Sequence, residues 1–184
     1  NNKPVLALES TIIASGMPYP QNIEFQNKAD RICANLGVVA ATIAIIKGVV
    51  HVGLGPKELN FIATNPSVKK ISKREIGICL EKNISGATTV SSTSHFAHLA
   101  GIKVFSTGGI GGVHRGYKTS LDMSQDLFSL SQTPIVVVCS GVKSFLNVEK
   151  TIEALETFGV TTVGYKTDTF PLFYSSESNN KLQY

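Results

Sequence analysis

The first group in this chain with an evident capacity for chemistry is a lysine that follows an apolar segment. Lys143 ends the run Cys139-Ser140-Gly141-Val142-Lys143, directly after the apolar stretch Pro134–Cys139. We predict that this stretch is a buried parallel strand and that a helix covers 144–157. Partial burial and the positive end of that helix would both favour a neutral amine, which can form a Schiff base. The alternative is a solvated lysine in a loop.

A second candidate is the glycine-rich segment Thr107-Gly108-Gly109-Ile110-Gly111-Gly112-Val113-His114-Arg115-Gly116, which follows a short predicted strand. Glycines let backbone N–H groups approach an anion closely, and Thr107, His114 and Arg115 add side-chain donors. The segment is not a dinucleotide-binding fingerprint, because that spacing requires glycine where His114 stands. It is not a P-loop, because Tyr117 stands in place of the required lysine. We therefore favour a phosphate-binding loop over a flexible turn.

Two acidic positions complete the candidate groups. Glu9 follows an apolar strand predicted over 4–8. A half-buried carboxyl there would have a raised pKa and could transfer protons near neutral pH, although a structural hydrogen-bond acceptor is the alternative. The segment Asp122-Met123-Ser124-Gln125-Asp126 suits either a largely hydrated divalent ion or the start of a helix. From the residues alone, the helix start is the better interpretation.

The spacing of apolar residues predicts the elements that position these groups. Strands and helices alternate, which predicts an α/β fold: a three-layer α/β/α arrangement with a mainly parallel or mixed central sheet. In such folds, ligands bind at the edge of the sheet where the parallel strands end. The other predicted strands cover 38–46, 49–54 and 102–106, with 69–74 a strand or a loop. The other predicted helices cover 25–36, 56–63, 75–82 and 88–100.

Composition limits the classes of function. The 184 residues suit a single domain over 1–184, and the net charge of +4 comes mostly from scattered basic residues. Only Lys69–Arg74 clusters positive charge, without aromatic residues, so we expect no nucleic-acid partner. The longest largely apolar run, Val38–Ile46, is too short to cross a membrane. The cysteines lie far apart in apolar stretches, so we expect buried, reduced thiols and a cytoplasmic location, with an organellar one left open. They are Cys33, Cys79 and Cys139.

Taken together, these segments resemble the pseudouridine-5′-phosphate glycosidase family, also called indigoidine synthase A-like. Ser15 and Ala40 depart from the family, which usually has His and Pro at these positions. The matching stretches follow family order across nearly the whole chain: Ala7-Leu8-Glu9-Ser10-Thr11-Ile12-Ile13-Ala14, Gly16-Met17-Pro18, Ala41-Thr42-Ile43-Ala44, Gly86-Ala87-Thr88-Thr89-Val90, the glycine-rich segment with Ser106 before it, and Val138-Cys139-Ser140-Gly141-Val142-Lys143-Ser144.

The resemblance implies an activity and a set of residues that perform it. The family reversibly splits the C–C glycosidic bond of pseudouridine 5′-phosphate, giving uracil and ribose 5-phosphate. By resemblance, Lys143 forms an imine with C1′ of the ring-opened sugar and Glu9 is the proton donor. Asp122 matches the ligand of a divalent ion, usually Mn²⁺, which reverses the preference for a helix start. The remaining implied residues are substrate contacts: Lys70, Val90, Ser124, Gln125 and Asp126.

The resemblance also implies a homotrimer that acts on a small-molecule substrate. Family members are considerably longer, so it implies a C-terminal region that these 184 residues lack. Two other hypotheses stay open from the residues. One is a Schiff-base aldolase that acts on a sugar phosphate through Lys143 and the same loop, without dependence on uracil. The other is a truncated, non-catalytic subunit that binds a sugar phosphate and shows no turnover.

Overall fold

The computed structural model describes residues 3–174 and 180–182. The strands are Val5–Leu8 (β1), Val39–Ile46 (β2), Val49–Val52 (β3), Lys69–Ile71 (β4), Gly86–Thr88 (β5), Val104–Ser106 (β6) and Val136–Val138 (β7). The α-helices are Gln21–Asn35 (α1), Pro56–Thr64 (α2), Ile76–Glu81 (α3), Val90–Leu99 (α4), Tyr117–Ser120 (α5), Gln125–Gln132 (α6) and Val148–Thr157 (α7). A π-helical turn covers Ile12–Gly16, and a 3₁₀ turn covers Lys73–Glu75.

The described chain divides into two compact units. The first comprises the residues up to Ser106 together with Ile135–Val137, and the second comprises Thr107–Pro134 and the residues from Val138 onward. The expected single domain over 1–184 stays a prediction. None of the helices in the described ranges is long and apolar enough to cross a membrane.

The first unit is built on a mixed sheet with the strand order β4-β5-β2-β1-β6-β7, and β3 also pairs with β2. β1 is parallel to β2 and β6, and β4 is parallel to β5. β2 is antiparallel to β3 and β5. Helices lie on both sides of this mostly parallel sheet, which confirms the predicted three-layer α/β/α class.

The central strand β2 holds the core of the first unit. Ile43, Ala44 and Ile45 are all 0% exposed. Successive side chains in a strand point to opposite faces, so both faces of β2 are covered. On one face Ala44 packs in a cluster with the π-helical turn and α2, represented by Ile13 and Ile62. A strand buried on both faces is a nearly continuous apolar run, which is why the sequence predicts this strand correctly.

The strand predicted over 134–139 is shorter and less buried than expected. β7 covers only Val136–Val138 and lies at the end of the strand order. Val136 and Val138 are 60% and 53% exposed. Because the residues lie two apart, their side chains share one face of the strand, and that face is exposed. An apolar run alone does not distinguish this edge strand from a buried one.

Helix α1, predicted over 25–36, begins four residues earlier, at Gln21, and packs through an unexpected face. Its apolar residues Phe25 and Ile32 are 40% and 51% exposed, whereas the polar Asn22 is 2% exposed. The Asn22 amide donates to the carbonyl of Ile13 at 2.8 Å and to that of Ala63 at 3.1 Å. These two buried hydrogen bonds orient the helix, and the apolar periodicity does not reveal them.

Candidate active site

Lys143 lies beside the glycine-rich loop of the second unit. The Ile110 N–H donates to the Gly141 carbonyl at 3.0 Å, and the Lys143 N–H donates to the Ile110 carbonyl at 3.2 Å. The Ser140 N–H donates to the Gly108 carbonyl at 2.9 Å. The lysine is half-buried, as predicted. These bonds fix its backbone against the loop, so the structure brings the two candidate groups together.

The helix after Lys143 begins later than predicted. α7 starts at Val148, because the Asn147 side chain caps it by accepting a backbone N–H at 3.0 Å. A turn closed by the bond from the Leu146 N–H to the Lys143 carbonyl precedes it. The helix predicted over 144–157 is therefore four residues too long. Lys143 is not at a helix N-terminus, and one of the two reasons for expecting a neutral amine is absent.

The first turn of α7 is hydrogen-bonded to the glycine-rich loop. The Thr151 hydroxyl accepts the Val113 N–H at 3.0 Å and donates to the Asn147 carbonyl at 2.7 Å. The Asn147 N–H in turn donates to the Val113 carbonyl at 2.9 Å. Thr151 is 0% exposed. The sequence contains no signal for this pairing, because a threonine inside a predicted helix has no obvious partner 38 residues away.

Asp126 supports the same loop from the other side. Its Oδ2 accepts the Gly111 N–H at 2.9 Å, and the residue is 6% exposed. Ser124 caps α6, since its hydroxyl oxygen accepts the Asp126 N–H at 3.2 Å. A helix therefore does start in this segment, with Ser124 and not Asp122 as its cap. Gln125 is the first residue of α6. Substrate contacts at Ser124, Gln125 and Asp126 stay predictions.

We expect the substitution Gly111→Ala to destabilise the second unit. A Cβ atom at this position would lie 2.2 Å from the Ser124 Oγ and 2.8 Å from the Asp126 Oδ2. The loop must move to relieve this overlap, at a cost of roughly 1–3 kcal/mol, which calorimetry would detect as a lower melting temperature. Gly77→Ala is the matched control, because nothing lies within 4 Å of its Cβ position. Equal melting temperatures for both variants would contradict this account of the loop.

Basic and acidic side chains lie close together at the C-terminal end of the glycine-rich segment. The His114 Nδ1 lies 3.7 Å from the Asp122 Oδ2, and the His114 ring lies 6.0 Å from the ring of Phe145. The exposed Arg115 donates to the Ser144 carbonyl at 3.5 Å, a long and weak bond. Since Phe145 and Ser144 directly follow the lysine, this cluster lies along the same segment as Lys143.

Three glycine N–H groups of the loop have no acceptor in the part of the chain that the structure describes. Between positions 107 and 114, the other five N–H groups donate to backbone or side-chain oxygens. Those of Gly108, Gly109 and Gly112 donate to no acceptor in residues 3–174 and 180–182. Gly109 and Gly112 are buried and Gly108 is half-buried. An N–H group that lacks a protein acceptor is available to an anion that reaches the loop.

Phe173 covers part of this loop, a contact that the sequence does not predict. A Cβ atom at Gly109 would lie 2.5 Å from a carbon of the Phe173 ring, and one at Gly108 would lie 3.0 Å away. The Phe173 N–H donates to the Ser140 carbonyl at 2.8 Å. Phe173 has φ +57°, a left-handed conformation that is strained for an aromatic residue. Glycine is therefore needed at 108 and 109 to make room for the ring.

Cys139 lies four residues before the lysine, and its surroundings disfavour the reactive thiolate form. Burial raises the pKa of the Cys139 thiol, which keeps it protonated near pH 7. Cys33 and Cys79 are buried, and all three cysteines are free thiols, as predicted. Cys139 itself is only partly shielded from solvent.

Asp122 is the candidate ligand for a divalent ion. Its side chain is 61% exposed, and no group of three or more His, Cys, Asp or Glu side chains in the described ranges is arranged to hold a metal. An exposed carboxylate with room for water fits an ion such as Mn²⁺ that keeps most of its water ligands. It does not fit a closed site made only of protein ligands.

The first unit carries the remaining predicted residues. Glu9 is half-buried and directly follows β1. Lys70 is exposed on β4 and pairs with Ala87 of β5, and Val90, which begins α4, is 1% exposed. The sequence missed β5: Thr88 ends this strand, so the helix predicted over 88–100 begins two residues too early.

A family model described as "Indigoidine synthase A like protein" matches residues 1–184 of the chain. This chain belongs to the indigoidine synthase A-like family. It is 52% identical over 182 residues to the pseudouridine-5′-phosphate glycosidase of Alkaliphilus metalliredigens. It is also 52% identical over 182 residues to the one of Caldanaerobacter subterraneus subsp. tengcongensis. Each alignment covers 99% of this chain and 59% of the relative, so the chain spans about three fifths of their length.

Solved structures of family relatives have the same fold. An indigoidine synthase A-like protein from Thermotoga maritima aligns with a TM-score of 0.93 and 39% identity, over 98% of this chain and 60% of that one. The prealnumycin C-glycosynthase AlnA, solved in complex with ribulose 5-phosphate, aligns with a TM-score of 0.88 and 41% identity. That alignment covers 97% of this chain and 58% of AlnA.

Proposed function

We propose that this protein reversibly cleaves the C-glycosidic bond of pseudouridine 5′-phosphate, giving uracil and ribose 5-phosphate in a lyase reaction. One observation carries the proposal: the backbone of Lys143 is hydrogen-bonded to a glycine-rich loop, and three N–H groups of this loop have no acceptor in residues 3–174 and 180–182. We infer that Lys143 supplies the nucleophilic amine and that the loop beside it binds the phosphate. The names of the relatives that are about half identical in sequence support the choice of substrate.

The proposed mechanism assigns one bond change to each catalytic group. The Lys143 amine attacks C1′ of the sugar as the C1′–O bond of the ring breaks, and a proton of the amine passes to the released ring oxygen, which becomes a hydroxyl. The nitrogen lone pair then forms a C=N bond as the C1′–C5 bond to uracil breaks, and its electrons move to C5. The Glu9 carboxylic acid gives its proton to C5. Water hydrolyses the imine to ribose 5-phosphate and free lysine. The imine is the electron sink that allows a C–C bond to break.

We infer that the phosphate binds to the glycine-rich loop. The N–H groups of Gly108, Gly109 and Gly112 would donate to its oxygens, and Arg115, His114 and Thr107 would add side-chain donors. Lys70 is proposed as a further cationic contact, and Val90 as a contact to the rest of the substrate. Binding energy from the phosphate, which does not react, would orient the reacting carbon.

Arg115→Ala should raise KM for pseudouridine 5′-phosphate about 10- to 100-fold, since a hydrogen bond to a charged group contributes roughly 1.5–3 kcal/mol. The substitution should matter much less for unphosphorylated pseudouridine, a poor substrate that lacks the phosphate. Steady-state kinetics on both compounds measure the difference. Arg31→Ala is the matched control, because Arg31 is an equally exposed arginine on α1. Equal losses for both compounds would argue against a phosphate contact.

We propose that Asp122 binds Mn²⁺, or another divalent cation, with His114 beside it and water completing the coordination. When bound, such an ion supplies positive charge close to an anionic substrate. Asp122→Ala should abolish Mn²⁺ binding in a calorimetric titration and remove metal-dependent activity, while the melting temperature changes little. Titration curves that coincide for the variant and the parent protein would rule out this ligand.

The proposal also covers the oligomeric state and the cellular compartment of the protein. We propose a homotrimer in the cytoplasm, with no nucleic-acid or membrane partner. Three free thiols support a reducing compartment, and sedimentation equilibrium would give the number of subunits.

The experiment that tests the function is incubation of the purified protein with uracil, ribose 5-phosphate and Mn²⁺, followed by detection of the C-glycoside. Formation of pseudouridine 5′-phosphate supports the proposal. Condensation of ribose 5-phosphate with an aldehyde, independent of uracil, would instead indicate a Schiff-base aldolase. Binding of ribose 5-phosphate without any turnover would indicate a non-catalytic subunit.

A further inference from the structure

We propose that Ser10, Thr88 and Thr93 are positioning residues for Glu9. The inference rests on the proposed function, in which Glu9 transfers the proton. All three side chains are 0% exposed, and they form a hydrogen-bonded chain directly after the end of β1. Hydroxyl groups that are fully buried and arranged in series are costly to place unless each is paired. The hydrogen-bond partners of these three hydroxyl groups show which part of the backbone they hold in place.

Ser10 anchors the backbone immediately after the carboxylate. Its hydroxyl donates to the Ile43 carbonyl of β2 at 2.6 Å and accepts the Thr88 N–H of β5 at 2.8 Å. Its own N–H donates to the Thr88 carbonyl at 3.4 Å. Its carbonyl accepts the Ile13 N–H of the π-helical turn at 3.0 Å. One residue is therefore tied to three separate segments of the first unit.

Thr88 and Thr93 extend this network into α4. The Thr88 hydroxyl also donates to the Ile43 carbonyl, at 2.6 Å, and accepts the Thr93 hydroxyl proton at 2.8 Å. The Thr11 hydroxyl donates to the Thr88 carbonyl at 2.8 Å. The chain of donors thus runs from Thr93 through Thr88 to β2. Replacing either threonine with an apolar residue of the same shape removes a link without creating a cavity.

Glu9 is held from both sides. Leu8, which precedes it, pairs in register with Thr42 and Ser106 inside the sheet, and Ser10, which follows it, is fixed by the hydroxyl network. The main chain at Glu9 therefore has little freedom to shift. A general acid must lie within hydrogen-bond reach of the atom that it protonates. A displacement of about 1 Å can lower a rate by about 100-fold, so the network would matter for the rate of proton transfer.

If the buried hydroxyls only stabilised the fold, removing one outside the network would have the same effect as removing one inside it. Helix α4 contains a buried hydroxyl outside the network, which serves as the control. Its residues Ser91–Ser94 are all 0% exposed. The Ser94 hydroxyl has no hydrogen-bond partner in the described part of the chain. Ser94→Ala removes a buried hydroxyl from the same helix without touching the network, and it should leave the kinetics unchanged.

The experiment compares Ser10→Ala, Thr88→Val, Thr88→Ser and Thr93→Val with Ser94→Ala. Each is assayed for kcat, KM and the rate at which borohydride traps ribose 5-phosphate on Lys143. We expect kcat to fall roughly 10- to 100-fold in Thr88→Val and Ser10→Ala, with KM and trapping within about threefold of the parent. Thr88→Ser keeps the hydroxyl and should recover most of kcat. In a Glu9→Gln background, Thr88→Val should cause no further loss.

The outcomes separate this inference from the function on which it rests. A parent protein that neither makes the C-glycoside nor traps the sugar would overturn both. A parent that does both, with variants in which trapping falls in parallel with kcat, would overturn only the inference. The inference alone would also be overturned if the kcat losses of Thr88→Val and Glu9→Gln multiplied in the double variant. A Thr88→Ser variant as slow as Thr88→Val would overturn it as well. Thr93→Val, which removes the outermost hydroxyl of the network, should show the same pattern more weakly.

Discussion

Borohydride added to the protein with ribose 5-phosphate should leave a stable mass adduct on Lys143. Reduction converts the C=N bond of the imine into an amine that survives digestion, so peptide mass spectrometry identifies the modified residue. Lys143→Ala should lack the adduct and lose essentially all turnover, because no other group supplies the electron sink. This is the largest effect that the proposed mechanism predicts.

The control for this experiment is another lysine of the same segment. Lys150 lies in the first turn of α7, seven residues from the nucleophile. Lys150→Ala should retain both adduct and turnover. An adduct that persists unchanged in Lys143→Ala would end the assignment. Structural integrity is checked by the melting temperature, since the Lys143 backbone bond to Ile110 does not require the side chain.

Glu9→Gln should lower kcat by about 10²–10⁴, the range usual for loss of a general acid or base. The amide keeps the size of the side chain but cannot donate the proton that uracil C5 requires. Trapping of ribose 5-phosphate on Lys143 should survive, because imine formation with the free sugar precedes proton transfer to carbon. The combination of normal trapping and slow turnover is what distinguishes a proton donor from a residue that holds the fold.

The matched control is Glu24→Gln, on an exposed position of α1. It should leave kcat unchanged. A Glu9→Gln protein with near-normal kcat would remove Glu9 from the mechanism. Parallel loss of trapping and of melting temperature would instead assign the carboxylate a structural role, the alternative that its half-buried position also permits.

The sequence predicts best those elements whose cause is local. The strand at 38–46 is a nearly unbroken apolar run, and Gly37 and Gly159 end their helices with φ +73° and φ +69°. The helix after Lys143 was predicted too long because its start depends on one cap, Asn147, that apolar spacing does not reveal. In β5, a three-residue strand of Gly86–Thr88 has too few residues to show any periodicity.

The candidate site also combines features that are local in the sequence with features that depend on distant contacts. Residue type and strand position make Lys143, Glu9 and the glycine-rich loop candidates, and the family resemblance is what assigns them roles. The contacts that shape them could not be predicted, since they join residues far apart in the chain. Asp126 reaches back 15 residues to Gly111 and Ser10 reaches forward 78 to Thr88. Neither side chain differs, in the sequence, from an ordinary helix cap or turn residue.

The buried hydroxyls of the first unit also affect how its stability depends on temperature. Unfolding raises the heat capacity through exposed apolar surface and lowers it through exposed polar surface. In this unit Ser10, Thr88 and Ser91–Ser94 occupy interior positions that aliphatic side chains would otherwise fill. The heat-capacity change on unfolding should therefore be smaller than for an aliphatic core of equal size. The curve of stability against temperature is correspondingly flatter, so the first unit loses less stability per degree on either side of its maximum.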